Sequence, residues 1–426
     1  MNTMAPIVHI TCREGLSSIF ISQVARPMSL LRRCGWNVSL AVTARVGEFI
    51  RPEQRAQWQR RRADVLSGFG MRLHLFPSPP SRIPHFWRES PFIRRWLRGR
   101  FRASSCIILH CMNTEATLLG LSIAAKDKRF SVICDCRGVD GPEYLMYQGC
   151  DDPGQAPPSV RVEYGARCAN QARALRLSDA IFVDSDAMRR EFAREWNIPT
   201  EKMGVYPCCT DIDAGAGAAH VRLAIRRKLG LADRLVVAYC GNVQPWQRLP
   251  HSLRLFRQLM ELRSDAHFLA LTTNPTVMKQ AVEGAGIGPE RSTILNLPHA
   301  DVPAHLAAAD VGVLLRDASV VNRVAAPTKF AEYLSCGVPV VITDGIGDYS
   351  ALVRGAQLGC VLPDLDNNER SRQLLEHFVK ELDARGQQIR DRCLAMAKLR
   401  FGWDGAIADL CRTYEYLSRG SRKIGN

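Results

Sequence analysis

Lys329 and Glu332 stand three residues apart in the segment Pro327–Pro339, PTKFAEYLSCGVP. That spacing puts an ammonium and a carboxylate on one face of a helix. Pro327 suits the first helical position, where its missing N–H would have no partner and its φ is already set. Gly337 suits the position just past the end, where the chain turns left-handed. The N-terminus of such a helix offers unpaired N–H groups and a partial positive charge, which suit a diphosphate. A cation in the first turn, Lys329, is unfavourable for the helix itself. Such a local conflict is expected where a site overrides stability. Lys329 with the helix end would hold a diphosphate, and Glu332 would accept hydrogen bonds from the vicinal hydroxyls of a ribose. The spacing alone also describes a plain surface Lys–Glu pair.

Other polar residues follow apolar runs. Arg316 comes directly after Val311–Leu315, where it either faces a ligand or pairs with Asp317. Gly241 and Asn242 follow Leu235–Cys240 in YCGNVQPWQ, which ends at Gln247. In the first half, Gly15 follows Ile7–Cys12, and its alternative role is a tight turn. His110 ends the run IILH, where a core histidine is the alternative. Arg137 and Gly138 lie in DCRGVDGPEY, and Arg137 either meets an acceptor or pairs with Asp135 or Glu143. No CxxC pair or His/Cys cluster at zinc spacing occurs, so no metal site is expected.

These residues need a scaffold that brings strand ends together. The first half alternates strands at Ile7–Cys12, Asn37–Thr43, Leu73–Phe76, Cys106–His110, Ser131–Cys136 and Ala180–Asp184 with helices at Ile19–Arg33, Thr114–Lys126 and Ser185–Trp196. The stretch Tyr206–Ala219, rich in Pro, Gly and Ala, breaks the pattern as a linker would. Alternation then restarts, with strands at Leu235–Cys240, Ala266–Thr272, Ser292–Asn296, Val311–Leu315 and Val338–Thr343. Helices are expected at Pro250–Leu262, Val302–Ala309, Pro327–Ser335, Gln373–Arg400 and Trp403–Leu417. Repeated strand–helix units imply α/β architecture: two parallel, Rossmann-like sheets with ligands at their carboxyl ends. The 426 residues suit two domains, 1–207 and 208–400.

The net charge of +15 fits a phosphorylated ligand, an anionic surface or nucleic acid. Arg82–Arg102 carries seven arginines against one Glu, interleaved with Phe86, Trp87, Phe92, Trp96 and Phe101. This is the composition of a helix on an anionic membrane, or of a solvated insertion. No recognition motif accompanies the charge, which argues against nucleic acid. The fifteen cysteines, scattered and odd in number, read as reduced thiols. With no basic n-region at the start and no apolar run of membrane-spanning length, the expected location is cytoplasmic, with peripheral attachment at the membrane's inner face as an option.

PTKFAEYLSCGVPVV, preceded by LAAADVGVLLRD and followed by TDGIGD, resembles the donor-binding region of glycosyltransferase family 4, which has the GT-B fold. YCGNVQPWQ, VYPCCTDID, ADVPAHLAAADVGV and FGWDGAIADLCRTYEYL resemble further family segments, and they occur in the family's order. The resemblance implies two Rossmann-like domains facing each other across a cleft, with residues 401–420 crossing back onto the N-terminal domain. It implies a retaining transfer from a nucleoside-diphosphate sugar to a carbohydrate or lipid-linked acceptor, as in polysaccharide or glycolipid synthesis, without metal or other cofactor. Glu332 matches the second Glu of the family's Glu-x₇-Glu motif, the ribose ligand. Val324 stands where the first, sugar-contacting Glu belongs, so that contact falls to Asn322, Arg323 or the N–H groups of Ala325 and Ala326. Pro327, Thr328, Gly241, Asn242 and Gln247 would surround the donor, with Lys329, Arg316 and Arg248 as the available cations. Gly15 matches the loop near the donor phosphates, His110 the histidine on the transferred sugar, and Arg137–Gly138 an acceptor loop. Two other readings keep the architecture: a nucleotide-sugar epimerase, and a basic, non-catalytic protein that binds a membrane or RNA.

Overall fold

The apolar runs become buried parallel strands. The computed structural model describes residues 4–17, 19–78, 86–212, 219–366 and 368–419, the side chains of 86–90 excepted. Seven strands form the first sheet: β1 (Ile7–Cys12), β2 (Val38–Arg45), β3 (Leu73–Ser78), β4 (Ile107–Met112), β5 (Phe130–Cys136), β6 (Ala180–Val183) and β7 (Met203–Val205). Their order is β3-β2-β1-β4-β5-β6-β7, all parallel. Six form the second: β8 (Leu235–Cys240), β9 (Ala266–Leu271), β10 (Ser292–Leu295), β11 (Val311–Leu314), β12 (Val340–Thr343) and β13 (Gly359–Leu362). Their order is β10-β9-β8-β11-β12-β13, again all parallel. Helices cover both faces of such sheets, so the central strands read as continuous apolar runs. Ile7, Val8 and Ile10 of β1, and Val236, Val237 and Ala238 of β8, are fully buried.

Strand order reverses between β1 and β4 in one sheet and between β8 and β11 in the other. In open parallel sheets the loops leaving such strands diverge, and ligands bind at that carboxyl edge. One compact unit runs up to Pro207 and resumes at Asp404; the other is Cys208–Trp403. The second division falls after Trp403, and not at 401, because Phe401 packs edge-on against Phe330 and Tyr349 of the second unit, at 5.7 and 5.5 Å. In the first unit, Tyr414 of the last helix, Trp403–Ser418, lies edge-on to Trp36 at 5.4 Å.

Several elements differ from the sequence expectation. The helix expected over Ile19–Arg33 is a π-turn, Phe20–Ala25, followed by an α-helix, Arg26–Arg33. Pro27 has no N–H to give, and the N–H of Arg26 reaches back five residues to Ile21. The helices Pro52–Phe69 and Pro158–Leu177 had no apolar stripe to reveal them. The first buries only Trp58 and Val65, and the second buries only Gln171, Ala172, Ala174 and Leu175, all in its last turns.

The basic segment is also corrected. Arg82 lies outside the described residues, as does Asp213 of the linker, and a helix spans Phe86–Arg100. Its Ile93 and Leu97 are fully buried, and Trp96 packs on His74, Phe76 and Phe101. Two of the aromatics assigned to a membrane face thus belong to the interior. Phe92 is 66% exposed, beside exposed Arg95, Arg98 and Arg100. Among the described residues no helix is long and apolar enough to cross a membrane.

Candidate functional site

The site in the second unit is built on the helix Thr328–Ser335. Pro327 is its N-cap, with extended ψ of 122°, and not its first helical residue. At the other end Gly337 turns left-handed (φ 69°), and the N–H groups of Val338 and Gly337 return to the carbonyls of Tyr333 and Leu334. This is a Schellman closure. Tyr333 anchors the helix over the point where strand order reverses. Its hydroxyl accepts the N–H of Cys240 at 2.9 Å and lies 3.3 Å from the carbonyl of Ala238. Gly312 of β11 permits this, because a Cβ there would sit 2.7 Å from the Tyr333 ring.

The helix so anchored lifts Lys329 to Gly241, directly after β8. Gly241 has φ 139°, and any side chain there would collide with the Lys329 ammonium. The Lys329 Nζ is buried, has no hydrogen-bond partner, and lies 5.7 Å from the centre of the Tyr239 ring. Burial, and then nearby Arg316, bring its pKa down to about 8 against the pull of Cys240 and Glu332. Glu332, one turn on, is raised by burial and drawn partly back by His299 and Lys329.

Arg316 leaves β11 and is buried. Thr343 of β12 brackets its backbone, accepting from its N–H at 2.9 Å and donating to its carbonyl at 2.6 Å. One guanidinium nitrogen donates to Asn322 Oδ1 at 3.1 Å, and Nε is buried without a partner. Burial lowers the pKa of Arg316 to about 10. The pairing with Asp317 open to Arg316 in the sequence is made by Arg248 instead, Nε to Oδ2 at 2.8 Å.

The remaining expected residues divide into two groups. Asn322 is fully buried, and its side chain is committed to Arg316, Asp317 and Ser319. The Ala325 N–H is taken by the Asn322 carbonyl at 3.2 Å, and Arg323 turns back to the Ala318 carbonyl. Val324 is buried, so the place of the expected carboxylate is filled by a core side chain. Ala326 and Thr328 stay beside the helix start, with Ala326 buried and Thr328 partly so. Across the loop after β8, the Asn242 carbonyl accepts the Tyr239 hydroxyl at 2.7 Å, and Gln247 is nearly buried. Tyr239, Tyr333, Thr343 and His299 were not singled out in the sequence. Aromatic and hydroxyl residues in apolar strands carry no spacing signal of their own.

His110 is corrected: it is fully buried, with Nδ1 at 2.6 Å from the Tyr414 hydroxyl and Nε2 at 3.2 Å from Asp135. Neither ring nitrogen is left for a sugar. Arg137 meets the same carboxylate at 2.7 Å and donates to the Tyr206 carbonyl at 3.2 Å. Its partner is therefore Asp135 and not Glu143. Burial would raise the Asp135 carboxyl, but Arg137 and His110 outweigh it and hold the group well below the usual range. His9, His110 and Asp135 place their ligand atoms within 4.8 Å of one another, as a metal site would. Arg137 on Asp135 and Tyr414 on His110 already fill that cluster.

Gly15 is required by packing, since a Cβ there would come 2.6 Å from the Trp58 ring. Gly138 likewise leaves room for the Glu143 carboxylate, which accepts the Val139 N–H at 3.1 Å. Arg13 and Asn113, just past β1 and β4, are held left-handed at φ 63° and 66°. Asn113 ties the loops together, donating to Glu14 at 3.0 Å and accepting the Arg137 N–H at 3.1 Å. Burial raises the carboxyls of Glu14, Asp140 and Asp184, and takes Glu143 to about 7.

Known proteins share this architecture. Anabaena HepE, solved in complex with UDP-glucose, superposes with a TM-score of 0.68 at 13% identity, over 96% of this chain and 99% of that one. A glycosyltransferase from Rickettsia africae gives 0.68 at 11% identity, over 99% and 100%. WaaG, a glycosyltransferase involved in lipopolysaccharide biosynthesis, gives 0.61 at 14% identity, over 97% and 98%. No curated protein matches the sequence. The fold is GT-B. Residues 22–209 match the glycosyl transferase 4-like domain and residues 221–390 match the glycosyl transferases group 1. Two Rossmann-like units and two matched domains in that order make this chain a member of the group 1, family 4-like glycosyltransferases.

Proposed function

We propose that the chain is a retaining glycosyltransferase whose second unit binds a nucleoside-diphosphate sugar. The observation that carries this is a pair of cations with buried, unpartnered nitrogens, Lys329 Nζ and Arg316 Nε, beside the start of a helix. Buried charge without a partner is costly, and an anionic ligand is what would offset it. HepE was solved with UDP-glucose, which supports a donor of this class. In this reading Lys329, Arg316 and the N–H groups of Ala326 and Thr328 meet the diphosphate, and Glu332 takes the ribose hydroxyls. Charge that develops on the leaving diphosphate is met by groups already in place. The protein's own cations suffice, so a chelator should leave turnover unchanged. Front-face substitution, with the departing phosphate receiving the acceptor's proton, gives retention. The acceptor hydroxyl is assigned to the first unit, near Gly138 and the Asn113-tied loops.

Thermal shift against a panel of nucleoside diphosphates tests the donor site, because a ligand of the native state raises its stability by mass action. At least one diphosphate should raise the melting temperature of the wild type, and the same one should fail on Glu332→Ala. A panel without effect on the wild type would sink the reading. Glu143, with its carboxyl near neutrality, is the group an epimerase would use as base. An isomerised nucleotide sugar as product, with no glycoside formed, would favour that reading.

On this reading the enzyme works at the cytoplasmic face of a membrane, with a lipid-linked acceptor. Arg95, Arg100 and Arg102 are exposed with Phe92 on the outer side of the Phe86–Arg100 helix and the turn after it. Binding to vesicles containing phosphatidylglycerol should weaken with salt and fall about 100-fold when the three arginines become glutamine, at roughly 1 kcal/mol per charge. Retention of full binding by that variant would rule the face out.

A further inference from the structure

Arg316 and Asp317 are neighbours in the chain, yet they do not pair. An Arg–carboxylate pair is strong and two-pronged, and a diphosphate would have to compete with it. The fold diverts the carboxylate. Arg248 binds Asp317 from the loop after β8, and holds a left-handed φ of 46° there. The Ser319 N–H reaches Asp317 Oδ1 at 3.0 Å, and Asn322 Nδ2 reaches the same oxygen at 2.7 Å. The other end of that amide, Oδ1, accepts from the Arg316 guanidinium at 3.1 Å.

We infer that Asn322 is a positioning residue for donor binding, whose neutral amide orients Arg316 while it and Arg248 keep Asp317 off that guanidinium. This rests on the donor reading above and goes beyond it. An amide suits the position because one end accepts and the other donates. Aspartate would accept from Arg316 but cancel its charge and repel Asp317. Leucine would leave both partners unmet. Asn322 is itself fixed, because its carbonyl takes the N–H of Gly347 at 3.0 Å and of Ala325 at 3.2 Å. Gly347 is held at φ 47°, where a Cβ would collide with the Ala325 carbonyl. The loop thus presents Arg316 with its charge uncompensated.

The test is calorimetric binding of UDP and of inorganic pyrophosphate, a probe without a base. Asn322→Asp should weaken pyrophosphate binding about tenfold or more, by cancelling the charge at Arg316. Arg248→Ala should weaken it in the same direction, because Asp317 is released toward Arg316. Adding Asp317→Asn to Arg248→Ala should restore affinity to within about threefold. Simple loss of packing at Arg248 would not be rescued by removing a charge at 317. This rescue keeps the test decisive even where Asn322→Asp fails to fold. Arg248→Ala with wild-type affinity, or a double variant that stays weak, overturns the inference. If Lys329→Ala and Arg316→Ala also bind as wild type, it is the donor site that fails, and the inference with it.

Discussion

Lys329→Met should lose about 10²–10³-fold in turnover and yet be more stable than the wild type at pH 7. The two effects share one cause. The Lys329 ammonium is buried without a hydrogen-bond partner, and burial lowers its pKa from 10.5 to about 8. Between those values the unfolded chain holds more protons than the folded one, so this group makes stability rise with pH. The stability advantage of Lys329→Met is therefore full below pH 8 and fades as pH rises toward 10.5. Ligand binding has the opposite sign. A diphosphate favours the protonated ammonium, so wild-type affinity should fall as pH rises through about 8, and the variant should lack that step. Denaturant midpoints and diphosphate titrations at pH 6.5, 8 and 9.5 check both. A methionine variant less stable than wild type at pH 7 would show that Lys329 is a structural cation. Gly241→Ala is a companion to this experiment, since a methyl group there drives into the Lys329 ammonium.

Asp135→Ala should cost about 3–5 kcal/mol of stability in the first unit, because it leaves a buried charge unpaired. Asp135 is 2% exposed and takes bonds from both Arg137 and His110. Its removal strands Arg137 and frees the His110–Tyr414 pair, which ties the last helix to β4. The sign with pH follows from the depressed carboxyl. The contribution is present above the unfolded value, near pH 4, and is lost as pH falls below it. Asp135→Asn keeps the shape and removes the charge, so it should fall between wild type and alanine at pH 7. Urea midpoints at pH 7 and pH 3.5 measure this, and the gap between wild type and Asp135→Ala should narrow at the lower pH. UDP affinity in the second unit should change by less than about twofold, since Asp135 bonds to Arg137 and His110 of its own unit. An alanine variant within 1 kcal/mol of wild type would remove Asp135 from the framework of the fold.

The two sites were unequally legible in the sequence. The helix at Thr328–Ser335 was legible because its signals are local: a proline at its start, a glycine just past its end, and a lysine in a first turn that disfavours it. His110 was misread because strand-end position was the local signal, whereas its partners lie 25 and 304 residues away. Trp96 and Phe101 were misread for a similar reason, since composition does not say which side of a helix meets the sheet. The helix Pro52–Phe69 buries two side chains seven residues apart, too few to show a period.

By itself the sequence determined the alternation of strands and helices, because strands buried on both faces must be apolar throughout. It also determined that a helix opened by Pro327 and closed by Gly337 follows the strand ending near Arg316. Tertiary structure alone decided which charges cancel. Arg316 and Asp317 are adjacent in sequence and unpaired in space, while Arg248 crosses 69 residues to take the carboxylate. Asp135 and Arg137 are two apart and do pair. An ion pair is fixed by distance and burial, which depend on the loops after several strands and not on spacing along one. The surroundings of Lys329 are therefore set by Gly241, Tyr239 and Arg316, none of which lies on its own helix.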